Sequence, residues 1–184
     1  MTAWSGFVKG FESTSKPLTS LTTYVSNDWL SDVHLGQMTE LLSMELYNNH
    51  IHAAETLVIS PYFAILFLHN EWTHPWTQWV AKDLTTGRHV HVLGVLNVNN
   101  NYWIAYVIDF HEEVLLFGDS LGHYPDKSVI NTFLAWIKNM SGKDFQSERL
   151  TTAIQTDSFS CGMLAVNALE HHMYPQIIPL LDTA

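Results

Sequence analysis

The sequence predicts an α+β fold in which a central β-sheet is flanked by helices. Three short runs rich in β-forming residues follow one another at 89–98, 103–110 and 114–119. Segments with a helical spacing of apolar residues precede and follow these runs. Seven Trp, seven Tyr and nine Phe among 184 residues are sufficient for one domain with a large core.

The chain is predicted to begin with an arm that leads into a helix. Residues 1–26 are rich in Ser and Thr and show no sustained period, so we expect an irregular arm before a domain at 27–184. From Ser31 onward the apolar residues recur at helical spacing. Ser31 is a suitable N-cap, and Asp32 is favourable in the first turn because its charge complements the helix dipole.

Further helices are predicted where serine, proline and glycine mark the ends of apolar segments. Proline is favoured at the first helical position, so a second helix begins at Ser60-Pro61 and extends to about His69. Residues 70–87, which carry three tryptophans, are expected to be loop and edge. An amphipathic helix over 127–140 ends at Ser141-Gly142.

Two of the β-like runs are predicted to form a hairpin around residues 111–113. In a hairpin, the start of the first strand lies beside the end of the second. Tyr102 and Asp119 are therefore expected to be neighbours in space. Residues 150–154 are predicted to form a further short strand.

Composition and charge exclude several classes of partner. The formal net charge of −10 argues against nucleic acid and suits a basic or neutral polypeptide. The most apolar window, 57–68, is interrupted by proline and is too short to span a bilayer, and the first residues show no secretory signal, so we expect a soluble protein. A single cysteine excludes an internal disulfide and a cysteine-based zinc cluster, which indicates a reducing compartment.

Cys161 is the candidate nucleophile. It stands at the predicted start of the last helix, which runs to about His172 before Pro175 stops it. There the helix dipole and unpaired backbone N–H groups are expected to lower the pKa of a thiol. Gln155, six residues upstream, can supply a side-chain N–H to a developing oxyanion. A lone cysteine is more often a small buried hydrophobic residue, and these residues alone leave both interpretations open.

Four strings of residues stand in a specific order along 27–172. They are Trp29-Leu30-Ser31-Asp32, Trp103-Ile104-Ala105-Tyr106-Val107-Ile108-Asp109, Gly118-Asp119-Ser120-Leu121, and Gln155 to Gly162. Together they resemble the Ulp1/SENP family of cysteine peptidases, which process and remove SUMO-like modifiers. The most specific string, Gln-x-Asp-x-x-Ser-Cys-Gly, is close to the family's Gln-x-Asn-x-x-Asp-Cys-Gly.

The resemblance implies a fold, a partner and a location. The expected fold is the papain-like, Ulp1-type fold related to the adenoviral protease, with a central mixed sheet and the nucleophile at a helix N-terminus. The expected partner is a ubiquitin-like modifier or an extended peptide, in the nucleus or the cytoplasm. Trp29 and Trp103 correspond to aromatic walls that confine a flat Gly-Gly tail, and Asp32 is a further candidate for substrate binding. Core packing is the alternative for each tryptophan taken alone.

The resemblance also assigns catalytic roles by position. Cys161 corresponds to the nucleophile, Gln155 to the oxyanion donor, and Asp119 to the acid that orients a histidine. In the family that histidine directly precedes the tryptophan that corresponds to Trp103, and here the position is Tyr102. A tyrosine is protonated at neutral pH, so it is a poor base and supplies no positive charge to a thiolate.

Two functions remain open on these residues. The first is a cysteine peptidase or isopeptidase acting on ubiquitin-like modifiers or peptides, with activity reduced or absent because Tyr102 replaces the base. The second is a pseudo-peptidase that binds such a tail without cutting it. His123 is the near candidate for a substitute base, because His111, His89 and His91 are expected at the far end of the strands.

Two other kinds of site receive less support. The Gly118 to Leu121 string is also the motif of GDSL esterases, but the chain has no Asp-x-x-His string to complete that triad, so Ser120 is expected to be a turn residue. Closely spaced histidines have no nearby carboxylate or cysteine in a recognised metal-binding arrangement, and there is no Gly-rich phosphate loop. These histidines are His50 and His52, His89 and His91, and His171 and His172. We expect no cofactor and no metal ion.

Overall fold

The computed structural model describes residues 11, 18–49, 54–123 and 125–182. The helices are α1 (Asp32–Asn49), α2 (Pro61–Leu68), α3 (Pro75–Thr85), α4 (Lys127–Ser141) and α5 (Cys161–Met173), and a 3₁₀ helix (Leu18–Val25) precedes them. The strands are β1 (Thr56–Val58), β2 (His91–Val98), β3 (Tyr102–Asp109), β4 (Val114–Gly118) and β5 (Gln146–Arg149). The α+β class is therefore confirmed. Within the described residues, no helix is both long and apolar enough to cross a membrane.

The five strands form one mixed sheet in the order β1-β2-β3-β4-β5. The outer pairs, β1 with β2 and β4 with β5, are parallel, and the central strands are antiparallel. The predicted hairpin is confirmed, because β3 pairs with β4 from Asp109 opposite Val114 to Ala105 opposite Gly118. The start of β3 therefore lies at the same end of the sheet as the end of β4.

Helices cover both faces of the sheet. Alternate residues of β2 and β3 point to opposite faces, as the two-residue period of a strand requires. Ile104 and Ile108 pack with α2, α3 and α4, whereas Ala105 and Val107 pack with α1 and α5. Because both faces are buried, the strands are apolar almost throughout. The helix α5, which begins at Cys161, lies across β3 on the second face.

The helix predictions are confirmed for α1, α2, α4 and α5 and wrong for the segment 70–87. That segment contains α3, which begins after His74 because the imidazole accepts a hydrogen bond from the Trp76 N–H at 3.2 Å, and Pro75 occupies the first turn. Val80 and Leu84, four residues apart, bury its inner face. The burial of this stripe makes the segment a helix, although it was predicted to be loop and edge.

The strand predictions missed two edge elements. The predicted strand at 150–154 is wrong in position, because β5 comprises the mostly exposed residues Gln146–Arg149, whose polar sequence carries no apolar alternation. Pairing with β4 rather than local propensity makes it a strand. Three-residue β1 was not predicted at all. The 3₁₀ helix Leu18–Val25 lies in the segment expected to be irregular, and of the rest of that arm only residues 11 and 26 are described.

Candidate active site

The ends of two strands and the start of one helix meet at the candidate active site. Tyr102 begins β3, Asp119 directly follows β4, and Cys161 begins α5. Hairpin pairing brings Tyr102 and Asp119 together, and the packing of α5 on β3 places Cys161 in the same apolar cluster as Trp103. Three separate parts of the sequence therefore contribute to one place in the fold.

The phenol of Tyr102 is held by polar partners that follow β4. Its hydroxyl donates a hydrogen bond to Oδ1 of Asp119 at 2.8 Å and lies 2.9 Å from Oγ of Ser120. The backbone N–H of Leu121 lies 3.0 Å from the Tyr102 hydroxyl and 2.8 Å from Oδ1 of Asp119. Burial and the Asp119 carboxylate raise the pKa of Tyr102 against the lowering effect of Ser120, so this hydroxyl stays protonated.

Ser120 connects this cluster to Gln155. The Ser120 hydroxyl donates to Oε1 of Gln155 at 3.0 Å, and the Gln155 backbone N–H donates to the Ser120 carbonyl at 2.7 Å. Both side chains are buried. The two bonds tie the segment that follows β5 to the segment that follows β4, which fixes the oxygen end of the Gln155 carboxamide.

The nitrogen end of the Gln155 carboxamide is bound to Asp157. Nε2 donates to the Asp157 carbonyl at 3.0 Å and to its Oδ1 at 3.2 Å. The same Oδ1 accepts from the N–H groups of Phe159 and Ser160, both at 2.9 Å, and from the Ser160 hydroxyl at 2.8 Å. Desolvation acts to raise the pKa of Asp157, but these hydrogen bonds outweigh it and lower the pKa.

The Cys161 thiol is free and buried, with 3% of its surface exposed. Burial, joined by the charge of Asp157, raises the pKa of Cys161, although backbone N–H groups of Trp103, Gly162 and Cys161 act to lower it. The expectation of a lowered pKa at the helix N-terminus is therefore wrong. The free-energy cost of desolvating a thiolate here exceeds the stabilisation that the helix dipole and these N–H groups provide.

No histidine of the described residues makes a hydrogen bond with Cys161. His123 is exposed beyond the end of β4. The predicted far-end placement is confirmed for His91, which pairs with Asp109 at the opposite end of β3, and for His111, which lies in the hairpin turn. His50 and His52 lie outside the described residues, and no group of three metal-ligating side chains occurs in the rest.

A groove of about 510 Å³ is lined by both tryptophans singled out in the sequence. Trp29 is 52% exposed, whereas Trp103 is buried and its indole N–H donates to the Leu30 carbonyl at 2.9 Å. Asp32 lines the same groove, and a hydrogen bond to it raises the pKa of the Tyr62 phenol. Apolar residues of α2 and asparagines of the β2–β3 turn also line this groove. Little of the Trp103 side chain is open to the groove, because the residue is buried.

Residues 28–180 match the Ulp1 protease family, C-terminal catalytic domain. The chain belongs to the Ulp1 protease family. The matched span contains every residue of the site described above and begins one residue before Trp29. A search of curated protein sequences finds no significant match.

Solved structures of Ulp1-type proteases share this fold. The SUMO protease Ulp1 with its catalytic cysteine oxidised to a sulfenic acid aligns with a TM-score of 0.76 at 14% identity, over 95% of this chain and 79% of that one. The Ulp1 protease domain in complex with Smt3, the yeast ortholog of SUMO, gives 0.72 at 14% identity, over 96% and 78%. The Xanthomonas campestris effector XopD bound to ubiquitin gives 0.60 at 20% identity, over 86% of each chain. At these identities the likeness establishes the Ulp1-type fold.

Two residues of this Ulp1-type site were not identified from the sequence. Ser120 lies in a turn, as expected, but its side chain is also buried and bridges Tyr102 and Gln155. Asp157 was noted only as part of the string before Cys161, yet its carboxylate accepts four hydrogen bonds. The available signal was the residue type of Asp157 just before a helix, because an aspartate side chain readily accepts from the backbone N–H groups that follow it.

Proposed function

We propose that the chain is a Ulp1-type cysteine peptidase or isopeptidase domain for ubiquitin-like modifiers or extended peptides, with low or no turnover in this form. Cys161 is the nucleophile of the proposal, and Tyr102 occupies the place of the catalytic histidine. The domain that we assign to this function spans 27–184. The bond between the Tyr102 hydroxyl and Oδ1 of Asp119, at 2.8 Å, is the observation that carries the proposal.

That bond supports the assignment of Tyr102 because Asp119 makes the contact that an orienting acid would make with an imidazole. The phenol cannot perform the next step, because its raised pKa keeps it neutral and protonated at physiological pH. The thiol is correspondingly left without a base, and burial favours its neutral form. Among the described residues, the site has a nucleophile and an orienting acid but no base that can take the thiol proton and pass it to the leaving amine.

The reaction that we propose for a form with a competent base proceeds through a thioester. The Cys161 thiolate attacks the carbonyl carbon of the scissile bond, and the amine leaves after receiving the proton that the base took from the thiol. Donors from Gln155 and the Cys161 backbone N–H hold the oxyanion. Water then hydrolyses the thioester, which releases the carboxylate of the tail and restores the thiol.

The groove beside Trp29 and Trp103 supports a narrow, extended substrate. Two indole rings and the apolar wall of α2 offer flat surfaces to a chain with small residues, and the turn asparagines offer amides to its backbone. The solved relatives that hold Smt3 and ubiquitin make a modifier tail the first substrate class to test. The net charge of −10 favours a partner with a basic face.

A binding module without catalysis is the second candidate function. It is favoured by the hydroxyl network around Tyr102, in which Asp119, Ser120 and Gln155 are joined to one another rather than left open to a substrate. In this alternative the groove binds a modifier tail, and the buried Cys161 thiol takes no part in a reaction.

Replacement of Tyr102 by histidine tests the catalytic proposal. Tyr102→His should raise the cleavage of linear modifier fusions by about 10²- to 10⁴-fold, because acid–base assistance contributes that much to such reactions. Tyr102→Phe is the matched control, since it removes the hydroxyl without supplying a base and should give no increase. Addition of Cys161→Ala to the histidine variant should abolish the gain. A folded histidine variant that cleaves none of several SUMO and ubiquitin fusions would count against the proposal.

A pair of exposed tryptophans tests the groove. The unaltered protein is titrated calorimetrically with SUMO and with ubiquitin, and each is also offered as a probe with a C-terminal electrophile. Trp29→Ala should weaken the binding of the modifier that binds, whereas Trp79→Ala, a change at an indole 45% exposed on α3, should not. Covalent labelling of the unaltered protein at Cys161 would rule out the pure binding module. Equal effects of both tryptophan changes would rule out the groove.

A further inference from the structure

The carboxylate of Asp157 lies just before the N-terminus of α5, the end of the helix at which Cys161 stands. Its Oδ1 accepts the Ser160 N–H at 2.9 Å, and Ser160 directly precedes Cys161. A helix N-terminus stabilises one anion well, but an anion already bound there repels a second one. The charge of Asp157 therefore offsets part of the positive potential that the helix offers to Cys161.

Asp157 also accepts hydrogen bonds from the side-chain amide of Gln155. Nε2 of a carboxamide carries two hydrogens, and its two close contacts are the carbonyl and Oδ1 of Asp157, at 3.0 and 3.2 Å. Because Ser120 fixes the other end of the carboxamide, Gln155 cannot turn without breaking bonds at both ends. The donor assigned to the oxyanion is thus engaged within the protein.

Among the described residues, the side chains that make up the site give the Cys161 thiol no compensating positive charge. Tyr102 on β3 is neutral, and Asp119 after β4 is acidic. Backbone N–H groups supply partial positive charge, while Asp157 acts in the opposite sense. Burial does most to favour the neutral thiol, and Asp157 adds a negative neighbour just before α5, whereas an active cysteine peptidase provides an imidazolium.

We propose that Asp157 is a positioning residue that keeps Cys161 in its thiol form and engages the Gln155 carboxamide. This role deepens the proposed function, because it adds a second feature beside Tyr102 that suppresses nucleophilic attack. It concerns the ionisation of one thiol in the free protein, so it can be tested without any substrate.

The experiment measures the alkylation rate of Cys161 by iodoacetamide as a function of pH. The chain has a single cysteine, so the rate reports that thiol alone. Asp157→Asn keeps an oxygen that can accept from Ser160 and Phe159 but removes the charge, and it should raise the rate near neutral pH about threefold or more. Asp157→Glu keeps the charge and should leave the rate near that of the unaltered protein. The control is Asp126→Asn, a change at the N-cap of α4, on the opposite face of the sheet, and it should have no effect.

Three outcomes would overturn the proposal. A pH profile unchanged in Asp157→Asn would show that the carboxylate does not control the thiol. An equal increase in the Asn and Glu variants would show that loosened structure rather than charge sets the rate. An increase with Asp126→Asn would show a general effect of net charge.

Thermal melting of each variant accompanies the rates, and amide resonances of Gln155 in a ¹⁵N spectrum provide a second readout that must shift in Asp157→Asn. Because neither readout needs turnover, failure here is distinct from failure of Tyr102→His.

Discussion

Tyr102 and Tyr106 lie four residues apart on β3, and their hydroxyls have opposite surroundings. The Tyr102 hydroxyl lies at the end of the strand and contacts Asp119, Ser120 and the Leu121 N–H. The Tyr106 hydroxyl is buried in the core and has no hydrogen-bond partner among the described residues. The Tyr106 ring instead packs edge-on against Phe133, with ring centroids 4.9 Å apart.

The difference shows that different forces fix a tyrosine at the end of β3 and a tyrosine in the core. At the site end, two side-chain oxygens and a backbone N–H of the segment after β4 surround the phenol, and these polar contacts decide its position. In the core, the shape of an aromatic ring decides, and an unpaired hydroxyl is tolerated at a cost in stability. The hydrogen bonds of the Tyr102 hydroxyl therefore do not follow from burial alone, because the Tyr106 hydroxyl is buried without them.

The largest predicted effect breaks the packing at Tyr106. A Cβ at Gly94, which is opposite Tyr106 on β2, would lie 2.4 Å from the Tyr106 hydroxyl oxygen and 2.5 Å from the ring carbon that bears it. Gly94→Ala should therefore destabilise the fold by about 3 kcal/mol in urea denaturation, since overpacking a rigid core costs that order. Gly36→Ala in α1 is the control, because no atom lies within 4 Å of its added Cβ, and it should be neutral or stabilising. Equal stability of the two variants would contradict this account of the core.

The next effect breaks the network at Tyr102. Tyr102→Phe leaves the Asp119 carboxylate and the Ser120 hydroxyl without their shared partner, so the free energy of unfolding should fall by about 1 to 2 kcal/mol. The measurement is urea denaturation at neutral pH. A variant as stable as the unaltered protein would mean that water replaces the phenol at no cost.

The same change in the core should have the opposite sign. Tyr106→Phe removes a hydroxyl that is desolvated without a partner, and the ring contact with Phe133 is kept. The free energy of unfolding should rise by about 1 kcal/mol, measured under the same conditions. If Tyr106→Phe is destabilising, the hydroxyl has a partner that these contacts do not include.

The smallest predicted effect is a difference in how stability depends on alkaline pH. Burial raises the pKa of both tyrosines above the ordinary value of 10.0, and Asp119 adds to the effect at Tyr102. The unfolded chain loses these protons above about pH 10 while the folded chain keeps them, so their contribution to stability is complete below that pH and is lost as the pH rises beyond it. Stability of the Tyr106→Phe variant should fall less steeply than that of the unaltered protein between about pH 9 and pH 11. Parallel curves would contradict the burial of an ionisable hydroxyl.

The sequence was informative where geometry follows from chain connectivity. A hairpin must bring Tyr102 to Asp119, and Ser60-Pro61 must begin a helix, because both depend on local backbone rules. The pKa values of the site residues could not be predicted from the sequence. The pKa of Cys161 depends on how deeply the thiol is buried, and no spacing of residues gives that depth.

The weakest sequence signals were those of elements defined by their neighbours. The edge strand β5 is a strand because β4 lies beside it, and α3 is a helix because its apolar stripe finds a core. Ser120 has the residue type of a turn, and only the tertiary structure shows the Gln155 oxygen that its hydroxyl reaches. The roles of Ser120 and Asp157 thus emerge at the level of packing.

The described sheet ends in its shortest strands, which affects how copies of the protein behave at high concentration. β1 has three residues and β5 has four, whereas the central β2 and β3 have eight each. A long flat edge is a template on which another chain can add a strand and begin an aggregate. Such growth needs a continuous row of peptide groups, and these edges offer very little length for it. The charged pair Glu148 and Arg149, exposed on β5, adds a further barrier to stacking of sheet on sheet.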